Sequence, residues 1–543
     1  MTASPAVEPQ ARPPSIEPAV VVEAPPEPEP RPERPGLASR RALIGGLALA
    51  GLVVTTAALA VSLHRNGHSQ GDDFALYLRQ ARSIFDGDIA DVVADNRFSV
   101  LYSNGRFSPY AYPWGWPLLL SPFVHLWGLD YDRLKLVEVA AFCAWLVLVH
   151  GIIRRRAGRV MALGVTAVVA TAPLLLAHTD QLLSEYPAAA AVALCIWWWD
   201  RVRARHRLTR AGPQDLIILG ALAAVAFNVR REAIVLVFAI AVIQVVELAG
   251  RVRRRRRRGQ PVDLPWGAVV TPHLAFVASA VLLQLLLPSM LFPDNGDHAR
   301  YIGARLGDYA SDLTEQLGLG SHPALGVLIM ALAVVGMVVG CRRRPALDGP
   351  LAVITVLTAL AISTHFRMVG RYYFQILPWV VYFATVALAA GVGLVLRSAR
   401  ARRWAPRLAI LPLLYLIAVH AVALPGDIAD ARDFNRGGRQ QVGPTSPTVT
   451  PIFDAVSTYT RPDDVIVYFR ARTMTLYTDR RSIQTTDIDH VLDFADFYAQ
   501  QRGSAYYQPE LSEQEAIDLG FTMVWSDNYW ILWRVPSPAA APG

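Results

Sequence analysis

Two adjacent carboxylates, Asp72 and Asp73, follow the first long apolar run, residues 42–63, by a few positions. They stand where the chain would leave a bilayer. A carboxylate held over a lipid surface can take the proton of a hydroxyl that attacks there. Behind them Phe74, Leu78, Ala81 and Phe85 recur at i, i+4, i+7 and i+11, one face of a helix. An amphipathic helix at that place would lie on the membrane surface. The same pair also fits a purely structural role. Asp72 is a good N-cap, and Asp73 suits the positive end of the helix dipole. The two roles are compatible.

Further clusters share features with this pair. Tyr110-Ala111-Tyr112-Pro113-Trp114-Gly115-Trp116-Pro117 precedes an apolar stretch and reads as a rigid turn at the interface, or as an aromatic belt. His178-Thr179-Asp180 and Ser184-Glu185-Tyr186-Pro187 lie between two apolar runs, with Pro187 suited to the first turn of the second. Asp180 and Glu185 are candidates for supporting a site, although Glu185 equally suits a helix N-terminus. Arg230-Arg231-Glu232 forms a tight turn between two further runs. His365, Arg367 and Arg371 form a last cluster, in which a helix would put the two arginines on one face. Guanidinium forks bind phosphate; snorkelling anchors are the plainer reading. Carboxylates on one loop and arginines on others suit a lipid-phosphate donor whose head group reacts outside the membrane, with arginines stabilising the leaving phosphate. No glycine-rich nucleotide loop and no nucleophile elbow occurs. Cys143, Cys195 and Cys341 offer neither a disulfide framework nor metal spacing.

The elements that position these residues are set by the bilayer. The chain has 543 residues, 53% of them hydrophobic, and a mean hydropathy of +0.30. Spans are expected at about 42–63, 134–153, 160–177, 186–200, 214–228, 232–249, 266–288, 323–341, 350–363, 375–396 and 408–424. They read as nearly free of ionisable residues apart from His273 and His420. With the N-terminus in the cytoplasm, the loops 154–159, 201–210, 251–258, 342–344 and 397–407 are internal and hold 24 arginines and no acid in 38 residues. The short outer loops hold six arginines in 58 residues. This asymmetry obeys the positive-inside rule, so the run Arg253–Arg258 is an anchor and not a nucleic-acid patch. Lys135 is the only lysine among 52 basic residues, which suggests a GC-rich genome.

The expected fold class is an α-helical polytopic membrane protein of about eleven spans with a small C-terminal extracytoplasmic α/β domain. Residues 1–41 contain eleven prolines and are expected to be a disordered cytoplasmic tail. Residues 42–424 form the membrane module, with a large first outer loop at 64–133. Residues 425–543 form the soluble domain. Strands are expected at 464–469, 521–525 and 529–535, and helices near 451–459, 488–501 and 511–519.

Taken in order, these motifs resemble the GT-C glycosyltransferases, and most closely the bacterial branch related to protein O-mannosyltransferases and aminoarabinose transferases. Gly71-Asp72-Asp73 with Tyr77-Leu78 and Ala81 resembles that family's acidic first-loop motif. Tyr112-Pro113-Trp114-Gly115-Trp116-Pro117-Leu118 resembles its Pro-Pro-Gly-Tyr-Pro-Leu turn, with Trp114 for a proline and Trp116 for a tyrosine. Leu183–Pro187, Arg230-Arg231-Glu232 and Arg371-Tyr372-Tyr373 are also similar, so that the likeness covers roughly residues 40–425. It implies a cell-membrane enzyme that moves a sugar from a polyprenyl phosphate to a hydroxyl of an envelope glycan, lipid or protein, with inversion. Asp72 or Asp73 would be the base, and the position within the motif favours Asp72. Arg230, Arg231, Arg367 and Arg371 would hold phosphate, with Tyr112 and His365 beside the substrate. The family contains metal-dependent and metal-independent members, so the resemblance leaves a divalent metal open. The alternative is a flippase or transporter of lipid-linked sugar, which should instead place ionisable residues mid-membrane.

Overall fold

The computed structural model describes residues 35–104, 109–291, 302–364, 369–396, 398, 404–504 and 506–536. The expected tail before residue 35, His365 and Arg367 lie outside these. The first helices are α1 (Pro35–Leu63), α2 (Asp73–Asp86), α3 (Ile89–Tyr102) and α4 (Gly115–Trp127). Then come α5 (Tyr131–Thr171), α6 (Pro173–His178), α7 (Glu185–Arg203), α8 (Pro213–Val229), α9 (Val235–Arg257) and α10 (Trp266–Leu286). The series continues with α11 (Ile302–Gln316), α12 (Pro323–Arg343), α13 (Asp348–Ser363), α14 (Leu377–Val395), α15 (Ala405–Leu408) and α16 (Leu411–Arg436). Among the described residues seven helices are long and apolar enough to cross a membrane, and α8 and α13 are shorter apolar helices. The chain is a multi-span membrane protein.

Two expected spans, 134–153 and 160–177, meet in the 41-residue α5, which breaks at Gly158. That residue has φ 81° and ψ 179°, a conformation open to glycine and strained for L side chains. The internal loop read at 154–159 thus holds the kink between two helical segments. Helix α16 runs past residue 424 to Arg436.

The expected spans are less free of charge than they read. Lys135 and Glu138 on α5, Asp200 on α7 and Glu247 on α9 are all buried. Each has a partner, as burial in low dielectric demands. Arg156 lies between Asp200 and Asp348, with its Nη2 2.8 Å from Asp200 Oδ1. Arg203 pairs with Glu247, and Leu183 N donates to Glu138 at 2.8 Å.

The C-terminal region holds five strands, β1 (Val465–Val467), β2 (Arg481–Ile483), β3 (Phe497–Gln501), β4 (Thr522–Ser526) and β5 (Trp530–Arg534). Their order is β2-β1-β3-β5-β4. β1 is parallel to β2 and β3, and β5 is antiparallel to β3 and β4. Side chains alternate between faces with period two. Ile466, Phe497, Ala499, Trp530 and Leu532 pack on one side, with α17 (Thr450–Tyr459) and α18 (Ala471–Thr478). Val467, Tyr498, Ile531 and Trp533 face the other, against α19 (Ile488–Phe494) and α20 (Glu513–Asp518). The three expected strands are present. The helix expected over 488–501 ends at Phe494, and the buried Phe-Tyr-Ala-Gln-Gln run after it becomes β3.

Candidate active site

Helix α2 carries the acidic pair at its start. Its Phe74, Leu78 and Ala81 pack on Trp116, Leu120, Val124, Tyr131, Leu134 and Leu182. The apolar face is therefore filled by α4 and α5 and not by an open surface, and only Phe85 at the far end is half exposed. Gly115 at the start of α4 lies against the end of α8: an added Cβ would meet Asn228 O at 2.7 Å and Val229 Cγ2 at 2.6 Å. That close approach seats the Tyr112 turn beside the Arg230 turn.

The two aspartates face different ways. Asp72 is 9% exposed. Its Oδ1 accepts from Arg472 N at 3.1 Å, and its Oδ2 lies 4.0 Å from Arg472 Nε. Thr473 Oγ1 donates to Gly71 O at 2.9 Å. Asp72 thus receives the first turn of α18 from the C-terminal region. It makes no side-chain cap to its own helix, which corrects the N-cap reading. Burial pushes its carboxyl above the usual aspartate range, against the pull of Arg472 and Arg470.

Asp73 is 41% exposed at its side chain. Tyr112 Oη donates to its Oδ1 at 2.5 Å. Arg371 Nη2 stands 3.8 Å from its Oδ2, and Arg472 Nη1 3.8 Å from its Oδ1. Burial, and then the Asp73 charge, hold the Tyr112 phenol well above its ordinary value, so it keeps its proton and stays a donor.

Glu185 binds two guanidinium groups. Its Oε1 accepts from Arg371 Nε at 2.8 Å and pairs with Arg230 Nη1 at 3.1 Å. Burial alone would raise this carboxyl. Arg230 and Arg371 outweigh it and hold the group down at about 2. Arg230 also bonds Glu232 at 3.0 Å and Ser184 Oγ at 3.3 Å, while Tyr77 Oη lies 3.1 Å from the same Ser184 Oγ. Asp73, Tyr112, Glu185, Arg230 and Arg371 therefore form one connected cluster. His178 beside it is held at about 4 by burial, so it is neutral at pH 7 and brings no charge.

Arg231 and Asp180 make their contacts outside this cluster. Arg231 donates to Met290 O at 3.3 Å, to Phe227 O at 3.2 Å and to Ser289, bracing the segment after α10. Asp180 pairs with Lys135 Nζ at 2.8 Å and accepts from Gln441 at 2.9 Å and from Arg65 N. Lys135 also donates to Arg65 O and Gly67 O. This hub pins the chain between α1 and α2.

The sequence reading missed Arg472. It is nearly fully buried, and its guanidinium donates to Pro109 O at 2.7 Å, Asn96 Oδ1 at 3.3 Å and Tyr112 Oη at 3.3 Å. The only local signal was Arg470-Ala-Arg472 directly after a strand. Among the described residues no three of His, Cys, Asp and Glu gather as a metal-holding group.

Residues 112–282 match the family described as dolichyl-phosphate-mannose-protein mannosyltransferase. The fold is similar to ArnT from Cupriavidus metallidurans, in a structure bound to undecaprenyl phosphate. The TM-score is 0.54 at 13% identity, over 90% of this chain and 97% of that one. The fold is that of the GT-C glycosyltransferases. The archaeal oligosaccharyltransferase AglB from Archaeoglobus fulgidus, in complex with an inhibitory peptide and a dolichol-phosphate, shares this fold. It gives a TM-score of 0.50 at 10% identity, over 83% of this chain and 69% of that one. A search of the curated proteins gives no match. Within the GT-C fold of this chain, the acidic pair lies at the start of α2, and the C-terminal sheet region meets it through α18.

Proposed function

We propose that the chain is a membrane glycosyltransferase. It moves a sugar from a polyprenyl-phosphate donor to a hydroxyl of an envelope glycan, lipid or protein on the outer side of the cell membrane. The observation that carries this reading is the accessible carboxylate of Asp73 beside Arg371, Arg230 and Glu185 in a GT-C fold. Asp73 Oδ1 is held by Tyr112, which leaves Oδ2 to take the acceptor proton. The acceptor oxygen then bonds to the anomeric carbon as the phosphate leaves from the opposite side, so the configuration inverts. Arg371 and Arg230 stabilise the charge that develops on the phosphate, and Glu185 fixes their orientation. In this reading Asp73, and not Asp72, is the base. Arg231 and Asp180 support neighbouring segments. The orientation follows the arginine asymmetry of the loops, with residues 1–41 a cytoplasmic tail and 425–543 an outer domain.

The test is purified protein with a panel of labelled polyprenyl-phosphate sugars and an envelope extract as acceptor source, scoring release of polyprenyl phosphate. Release by the wild type that is lost in Asp73→Asn supports the reading. Transbilayer movement of the intact lipid-linked sugar without cleavage would overturn it in favour of a transporter.

A further inference from the structure

Among the described residues, one buried side chain of the C-terminal region touches three separate segments of the first outer loop. Arg472 reaches Asn96 on α3, Pro109 after it, and Tyr112 in the turn before α4. Its guanidinium also stacks over the Tyr112 ring, 5.3 Å from the centroid. A phenol has one hydrogen and can still accept. Because Arg472 Nη1 donates to Tyr112 Oη, the phenol hydrogen is left to go to Asp73 Oδ1, the partner 2.5 Å away. That bond restrains the Asp73 carboxylate at Oδ1.

We propose that Arg472 is a positioning residue of the active site: the C-terminal region supplies the guanidinium that locks Tyr112 as a donor to Asp73 and so aims Asp73 Oδ2 at the acceptor. This rests on the reading of Asp73 as the base. Arg472 acts chiefly through the Tyr112 hydrogen bond, its Nη1 standing farther off, 3.8 Å from Asp73 Oδ1. A lysine cannot replace it, because a single ammonium lacks the planar fork that reaches Pro109 O, Asn96 and Tyr112 together.

A second contact separates positioning from docking. Tyr477 on the same helix bonds Tyr131 Oη at 2.7 Å on the other side of the interface. Tyr477→Phe loosens docking without touching the Tyr112–Asp73 pair.

The experiment compares Arg472→Gln, Arg472→Lys, Tyr112→Phe, Tyr477→Phe and the double variant Arg472→Gln/Tyr112→Phe. Two readouts are taken on each folded protein: kcat and donor KM for release of polyprenyl phosphate, and amide hydrogen exchange over residues 109–116. Arg472→Gln and Tyr112→Phe should each lower kcat at least tenfold, with donor KM within about threefold of wild type. The double variant should lose no more than the worse single, because both act through one brace. Arg472→Lys should recover little, and Tyr477→Phe should keep wild-type kcat. Exchange over 109–116 should rise in Arg472→Gln and not in Tyr477→Phe. Additive losses, or equal losses in Arg472→Gln and Tyr477→Phe, would overturn positioning. Unchanged exchange over 109–116 in Arg472→Gln would overturn it even for a protein with no measurable turnover. A wild type that releases no polyprenyl phosphate, with exchange changing as expected, would sink the transferase reading and leave the brace standing.

Discussion

At the residue scale, adjacency hid two different surroundings. Asp72 and Asp73 are neighbours in sequence, and the motif alone favoured the first. The chain's path separates them, since consecutive residues at a helix start point in different directions. Asp72 meets the backbone of α18, 400 positions away, and no local pattern reports such a contact. Asp73→Asn should remain folded, bind donor and lose on the order of 10²–10⁴ in rate. Asp72→Asn keeps an oxygen for Arg472 N and should retain most of its turnover per folded molecule. Asp72→Ala should lose stability by about 1.5–3 kcal/mol, the size of a charged hydrogen bond. Initial rates and thermal melts in detergent distinguish these outcomes. Near-equal turnover in Asp73→Asn and wild type would remove Asp73 from the chemistry. Glu185 gives a pH signature. Its folded pKa of about 2 lies below the ordinary 4.5. Its contribution to stability is therefore fully present above pH 4.5 and is lost as pH falls from 4.5 towards 2. The shift corresponds to about 3 kcal/mol. The wild-type melting temperature should fall over that window, and Glu185→Gln should show a shallower fall from a lower starting value at pH 7.

At the element scale, the helices followed from hydropathy and arginine-rich loops, and the kink at Gly158 from neither. Lys135 shows what composition can conceal. One lysine in a chain that otherwise uses arginine was read as a genomic bias. In the structure it is a cation held in a closed site, fully buried between Arg65 O, Gly67 O, Asp132 and Asp180. An ammonium is compact and directs three donors around one atom; a guanidinium is wide and planar. The exception to the arginine habit was itself the signal. Lys135→Arg should overfill the site and cost about 1–3 kcal/mol. Lys135→Met should strand Asp180 and two carbonyls and cost about 3–5 kcal/mol. Melts of the two variants in detergent give the order wild type, Arg, Met. An arginine variant as stable as wild type would show that the hub tolerates a fork. Because the hub pins residues 64–68 just ahead of α2, the less stable variant should also lose the register of the acidic pair, and with it turnover.

At the scale of the whole molecule, the sequence carried the membrane class, the order of the motifs and three of the five strands. The way the C-terminal region meets the loop of the acidic pair is long-range. It depends on β1 delivering Arg470-Ala-Arg472 to the loop that bears Asp72, and no periodicity within either segment encodes that meeting. The same holds for sidedness, which the loops state only through their charge. Arginine is costly to translocate, so 24 arginines on one set of short loops against six on the other bias the whole chain one way. If so, the acidic pair, the Arg230 and Arg371 turns and the C-terminal sheet all share the face opposite the run Arg253–Arg258. Reporter fusions at 255 and 450 should then be active on opposite sides of the membrane. A lipid-linked donor is recognised by its phosphate at the bilayer surface, so sidedness fixes which leaflet must supply it. Vesicles of the two orientations should differ accordingly, with added acceptor used only where residue 450 faces the medium. Both reporters on one side would break the charge-based topology. Acceptor use from the face of residue 255 would move the chemistry away from Asp73 altogether.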